Sequence, residues 1–275
     1  MWRSLLFVPV LNDHLVRGAS QRGADAVVLD LEAAVPVQRK DEARDLLARI
    51  AGDLQAAGTQ VAVRVNLFEN GGEKDIVAAC EAGASAIVLP QAMPQTVERA
   101  ARNVGRETPL IPLIESPRGV IDALAVAEAA PSVIALGFGV EDYAADMGAP
   151  PTPELLTHAA FQVIQAARAA EREPLVFADT IADFKNLTRF ETAALAARAM
   201  GASGGFAIHP GQVEILNRIH TPSAAEVRKA QAILDAAEAA RREGRAIATV
   251  EGQMIDQPVE ARARRILSRA ARQGA

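Results

Sequence analysis

LIPLIESPRGVIDALAVAEAAPSVIALGFGVED, residues 110–142, contains the unit from which the chain is built. It opens on an apolar run, Leu110 to Ile114, that ends in Glu115. Ser116-Pro117 starts a helical stretch, and a second apolar run, Val133 to Gly139, leads to Glu141 and Asp142. Each run is strand length and apolar at successive rather than alternate positions. That is the pattern of a parallel strand covered on both faces.

Six more runs of this kind flank the unit: Ser4 to Val10, Ala26 to Glu32, Gln60 to Asn66, Ala86 to Pro90, Leu175 to Asp179 and Gly205 to Pro210. Helical stretches lie between them. Residues 39–57 place Ala43, Leu46, Leu47, Ile50 and Leu54 at spacings of three and four, and residues 153–171 and 186–200 are Ala-rich with similar spacing. Thr152 is placed to cap the helix that Pro153 opens. Eight strands alternating with helices predict an α/β fold, a (β/α)8 TIM barrel over residues 1–220. A doubly wound open sheet is the alternative, but no Gly-x-Gly-x-x-Gly follows the first strand. Residues 221–275 form a C-terminal helical extension: a helix over 223–244, an extended stretch from Ile247 to Ile255 and a last helix near Pro258. This extension packs outside the barrel or serves as a lid.

At 275 residues and 50% apolar composition, one barrel has a core large enough to need no staple. A single cysteine, Cys80, excludes a disulfide framework and a cysteine-based zinc site, and reads as a small buried residue. The net charge of -5 is spread through both signs and aromatic residues are sparse, which argues against nucleic-acid binding. No apolar run reaches the roughly 20 residues of a membrane span. The first residues read as a strand rather than a signal peptide, so a cytoplasmic location is expected.

Barrel active sites collect at the C-terminal ends of the strands. Those ends carry Asp30 and Glu32, Arg64 and Asn66, Glu115, Glu141 with Asp142, Asp179, and His209. Residues two apart on a strand share a face, so Asp30 pairs with Glu32 and Arg64 with Asn66. Carboxylates gathered at one mouth need a counter-charge. A divalent cation supplies it, and oxygen-only donors favour Mg2+ or Mn2+ over Zn2+.

In order, Arg3-Ser4-Leu5-Leu6-Phe7-Val8-Pro9, Asp30-Leu31-Glu32, Val63-Arg64-Val65-Asn66, Ile114-Glu115-Ser116, Gly139-Val140-Glu141-Asp142-Tyr143, Ile208-His209-Pro210 and Met254-Ile255-Asp256 resemble the motifs of one family. It is the citrate lyase β-subunit-like, or HpcH/HpaI aldolase, family, which includes malyl-CoA and citramalyl-CoA lyases. The resemblance implies a lyase that cleaves or forms a short 3-hydroxyacyl-CoA thioester. It implies Mg2+ (or Mn2+) on Glu115 and Asp142, Arg64 on the substrate acyl group, and Asp256 as general acid/base from the tail of a neighbouring subunit. Arg3 joins Arg64 and Glu115 as a candidate substrate contact, while Asp30 and Glu32 order water and Arg64 behind the metal. A homotrimer or hexamer acting on an acyl-CoA or hydroxydicarboxylate is expected.

Plainer roles stand beside these. Asp142 could cap a turn and Asp256 the last helix. Arg64 could be a structural partner of Glu32, His209 could bond a backbone group, and Arg3 could contact only a neighbouring strand. The family pattern also breaks at Val10, where glycine is usual, at Ala33 for an acid, at Gln91 for a lysine, and at Gly205 and Phe206 for a Gly-Lys pair. Val10 would restrict the approach of a bulky substrate. Other readings are a citrate lyase β-subunit acting on a carrier-bound thioester, a class II aldolase acting on free 2-oxo acids, and a non-catalytic acyl-binding homologue.

Overall fold

The computed structural model describes residues 2–104, 108–245 and 247–271. The last four positions of the expected extension, and Ala246 within it, lie outside them. The chain forms two compact units, Trp2–Arg218 and Ile219 to the C-terminus.

In the first unit eight parallel strands run β1 (Ser4–Pro9), β2 (Ala26–Asp30), β3 (Gln60–Arg64), β4 (Ala86–Leu89), β5 (Leu110–Ile114), β6 (Ala135–Phe138), β7 (Glu173–Leu175) and β8 (Gly205–Ala207). They lie in the order β7-β6-β5-β4-β3-β2-β1-β8, and a parallel bridge from Leu175 to Gly204 brings the two edges together. The barrel is therefore nearly closed. The helices are α1 (Asp13–Gly18), α2 (Lys40–Ala56), α3 (Gly72–Glu81), α4 (Pro94–Val104), α5 (Pro117–Ile121), α6 (Ala123–Glu128), α7 (Val140–Asp146), α8 (Pro153–Ala169), α9 (Leu187–Met200) and α10 (Pro210–His220). The strands are shorter than the apolar runs because the ladder stops before the polar strand ends, whose side chains build the mouth. β7 and β8 are the shortest, three residues each; β7 begins two residues before its expected run, and Val176 to Asp179 follow it without a ladder.

Side chains alternate about each strand. Leu29, Val63, Ile87 and Leu136 point to the helices and are completely buried, each contributing roughly 1.5–3 kcal/mol. Leu5, Val28, Ala62, Leu113, Leu175 and Phe206 point inward and form one cluster, with Phe7 packed against it. Phe7 and Phe206 stack at 5.2 Å. A Cβ at Gly137 would stand 2.3 Å from Leu113 and 2.8 Å from Phe206, so only glycine admits both beside it. Val10 is buried in the core and does not face the mouth, so it does not restrict a substrate there. Cys80 is half-buried in α3, with its sulfur 3.7 Å from the Thr108 hydroxyl. Thr152 occupies the N-cap position of α8, with Pro153 following, but its side chain makes no cap bond to the helix backbone.

In the second unit α11 (Ala224–Arg242) opens with a capping box between Ser223 and Glu226. The hairpin β9 (Ala248–Val250) and β10 (Gln253–Ile255) turns through Glu251 and Gly252, both at positive φ, as a tight two-residue turn requires. The last helix is α12 (Gln257–Ala271). Ile233, Ala237, Ala248, Ile255 and Ala263 form a core of their own. Among the described residues no helix is long and apolar enough to cross a membrane.

Candidate functional site

A cavity of about 430 Å3 lies at the C-terminal ends of the barrel strands. Asp30, Arg64, Glu115, Glu141 and Asp142 line it together. The strand register explains the first pair: Asp30 and Arg64 are direct partners across β2 and β3. Arg64 donates through Nε and Nη2 to the two Asp30 oxygens, both at 2.8 Å, and Nη1 stands 3.1 Å from Glu32. Its guanidinium also lies over the Phe7 ring, 4.6 Å from the centroid. Asp30 is anchored in turn by the backbone N–H groups of Glu32 and Ala34. Arg64 is thus held in one orientation with N–H donors still free to face the cavity.

Glu115 follows β5 and is buried. One of its oxygens accepts the Gln91 backbone N–H at 2.6 Å. Gln91 presents that N–H from a left-handed conformation, φ 43°, just after β4. On the other side a Cβ at Gly139 would stand 2.5 Å from Glu115 Cγ and 2.6 Å from Oε1, so the glycine makes room for the carboxylate. Burial pushes the Glu115 carboxyl up to about 8; the Gln91 N–H opposes this, nearby Asp142 adds to it, and Arg64 opposes it again. Glu32 is also raised, by burial first, against the pull of Arg64. Asp142 stands in the first turn of α7 whose N-cap is Gly139, so it is not a capping residue. Glu141 accepts a hydrogen bond from the Thr180 hydroxyl.

Five carboxyl groups, Asp30, Glu32, Glu115, Glu141 and Asp142, therefore share one guanidinium that Asp30 already occupies, and burial favours the protonated form of Glu115 and Glu32. Lys40 does not redress this, because its Nζ donates to the backbone carbonyls of Leu31 and Glu32 at 2.7 and 2.6 Å. Among the described residues no group of three or more His, Cys, Asp or Glu side chains is arranged to hold a metal. Mg2+ commonly takes one or two protein carboxylates and completes its shell with water and substrate. The buried Glu115, with Asp142 near it and no salt bridge to a cation among the described residues, fits that requirement.

Other candidates go elsewhere. Arg3 precedes β1, at the opposite end of the barrel, and donates to both oxygens of Asp25. It does not line the cavity, so a substrate contact from Arg3 finds no support in its position. Asn66 turns away to Asp75, a fully buried carboxylate that also receives Arg44; its amide also donates to the Leu31 carbonyl. Asp179 pairs with Arg189 outside the cavity. His209 Nδ1 accepts the Gly211 N–H, the backbone role open to it. Asp256 Oδ1 accepts the Val259 N–H at 3.2 Å, which makes it the cap of α12. Reading strand ends missed Asp75, Lys40 and the Gln91 amide, since two lie on helices and the third is a backbone group. It also missed Phe138, Leu175, Phe177 and Ile181, which make the apolar part of the wall.

The profile of the HpcH/HpaI aldolase/citrate lyase family matches residues 3–210. The chain is 33% identical to the citrate lyase subunit beta of Escherichia coli K12, over 98% of this chain and 93% of that protein. It is 30% identical to a (3S)-malyl-CoA thioesterase of Cereibacter sphaeroides, over 98% and 94%. Among solved structures, the protein CitE of Mycobacterium tuberculosis in complex with magnesium, acetoacetate and coenzyme A superposes with a TM-score of 0.78 at 26% identity, over 98% and 97%.

Proposed function

The chain belongs to the HpcH/HpaI aldolase/citrate lyase family, and on that premise we propose a Mg2+-dependent carbon–carbon lyase acting on a short 3-hydroxyacyl thioester. The observation that carries the reading is the pairing of a buried, uncompensated Glu115 with Asp142, opposite a guanidinium that Asp30 holds in place. The relative solved with magnesium and coenzyme A supports the choice of metal and of thioester.

Glu115 and Asp142 would hold Mg2+, which when bound supplies positive charge to the oxygens of the acid portion. In cleavage the 3-hydroxyl would give its proton to the Asp256 carboxylate, the bond between C2 and C3 breaks as the C3 oxygen becomes a carbonyl, and the electron pair of that bond moves into the thioester enolate, which takes the proton back at C2. Arg64 meets the charge that grows on the enolate oxygen; fixed by Asp30 and Glu32, it need not reorganise as that charge appears. Asp256 is proposed to exchange the proton at the enolate carbon. Its cap bond fixes one oxygen and so orients the other. We take the working form to be a homo-oligomer, trimer or hexamer, which light scattering of the purified protein would measure.

The test is release of acetyl-CoA or propionyl-CoA from malyl-CoA, citramalyl-CoA and methylmalyl-CoA, with Mg2+ and with EDTA, for the wild type and Glu115→Ala. Metal-dependent release that the substitution abolishes supports the lyase. The likeness to the malyl-CoA thioesterase favours one second reading, hydrolysis of the thioester. The same assay separates the two, because hydrolysis yields free CoA without shortening the acyl chain. No product of either kind sinks both.

A further inference from the structure

Within the cavity the charged side chains are gathered on one side, among apolar neighbours such as Phe7 and Leu113. The upper inward positions on β2, β3 and β5 are Asp30, Arg64 and Glu115. The matching positions above β7, above β8 and on β1 are Phe177, Ile208 and Pro9. Ile181 extends the apolar side upward, and Leu175 and Phe206 floor it. One half of the mouth is charged; at its border Glu141 accepts the Thr180 hydroxyl, and beyond that the facing half carries no charged side chain among the described lining residues.

Resting on the lyase reading, we propose that the substrate places its one carboxylate at the charged half and an alkyl substituent against Phe177, Leu175 and Phe206, so that substrates with a second free carboxylate there are rejected. The one guanidinium among the described lining residues, Arg64, stands on the charged half over Phe7, tied to Asp30 and Glu32, and on the lyase reading its remaining N–H donors meet the enolate oxygen. A second carboxylate turned to the apolar half would lose water and gain no partner. An alkyl group there exchanges water for aromatic and aliphatic contact, worth about fourfold in affinity for each buried methylene. The thioester arm does not compete for the same surface. It must reach solvent, and so passes the rim, where Leu15 and Ile208 are 43% and 41% exposed; Leu175, Phe177 and Phe206 are 3%, 4% and 7% exposed and lie below it.

The experiment is calorimetric titration of the full-length protein, with Mg2+ present, with pyruvate, 2-oxobutyrate, 2-oxovalerate and 2-oxoglutarate. The last two share a five-carbon chain and differ in a terminal methyl or carboxylate. Expected is a rise of about fourfold per methylene from pyruvate to 2-oxovalerate, with 2-oxoglutarate at least roughly tenfold weaker than 2-oxovalerate. Ile208→Lys, at an exposed rim position where a charge leaves folding intact, puts a cation over the apolar half. It should narrow or reverse that gap by roughly tenfold. Equal or tighter wild-type binding of 2-oxoglutarate overturns the proposal, as does an Ile208→Lys protein with an unchanged gap. A parallel assay for condensation of the same acids with acetyl-CoA keeps the two readings apart. The predicted binding order without any carbon–carbon bond formation leaves the subsite standing and removes the lyase. Absence of Mg2+-dependent binding by every acid removes both.

Discussion

Glu115 is the residue on which the metal reading turns, and its carboxyl titrates in an unusual place. Burial holds it protonated to about 8 in the metal-free protein. A cation that needs the carboxylate must therefore displace a proton below that pH. Mg2+ affinity should climb roughly tenfold per pH unit up to about 8 and then level off. Calorimetry in buffers of different ionisation enthalpy should show close to one proton released per Mg2+ near pH 7. Affinity independent of pH between about 6 and 8 would remove Glu115 from the ligand set. The stability of the metal-free protein follows from the same shift. A carboxyl raised from 4.5 to about 8 contributes stability that is full below 4.5 and lost as pH rises through 8. Glu115→Gln should flatten that slope and bind Mg2+ weakly at every pH. Asp256 needs a different substitution, because it caps α12 as well. Asparagine caps helices as well as aspartate does but carries no titratable proton. Asp256→Asn should keep the melting temperature while kcat falls about a hundredfold or more. An unchanged kcat would leave Asp256 a cap and nothing else.

At the scale of elements, the junction between β6 and α7 joins two halves of the site. Gly139 ends the strand side, leaves space for the Glu115 side chain, and starts the helix whose first turn carries Asp142. Gly139→Ala should displace the Glu115 carboxylate, since its Cβ would stand 2.5 Å from Glu115 Cγ. The expected loss is at least tenfold in Mg2+ affinity with a melting temperature lowered by only a few degrees, read by calorimetry and thermal unfolding. Wild-type affinity in this variant would place the metal elsewhere. The same junction shows what a sequence discloses. That Glu115 ends a strand and Asp142 follows one was legible from the apolar runs, because buried parallel strands are apolar on both faces. That α2, α8 and α11 fall within two residues of their expected bounds follows from their periodicity, and that α9 does so follows from its Ala-rich composition. The clamp of Arg64 on Asp30 was not legible, because it depends on the register of β2 against β3, which no single strand encodes. The same holds for Asn66. Alternation put it on the face of Arg64, yet a buried carboxylate on α3, Asp75, draws it away. Arg3 was misjudged against a signal already present: it precedes the run Ser4 to Val10, which puts it at the N-terminal end of β1, away from the mouth.

For the molecule as a whole, both proposed metal ligands and Arg64 belong to the unit Trp2–Arg218, while Asp256 belongs to the unit beginning at Ile219. That division separates holding a metal from completing the reaction. The second unit has its own core around Ile233, Ala237, Ile255 and Ala263 and its own capping box, so removing it withdraws no ligand from Glu115 or Asp142. A chain ending after residue 220 should therefore bind Mg2+ within a few-fold of the full-length protein, with the same dependence on pH. Its turnover of any thioester that the intact protein cleaves should fall by about a hundredfold or more, the loss expected when a general acid/base is missing. Adding back the intact Glu115→Ala protein, which lacks a metal ligand but keeps Asp256, then distinguishes how the acid is delivered. Recovery of activity in the mixture would mean that one chain's tail serves another chain's barrel. A truncated chain that turns over at the full rate would show that the reaction needs nothing beyond the barrel. The proton at the enolate carbon would then have to come from a group already lining the cavity, with Glu141 the first to substitute.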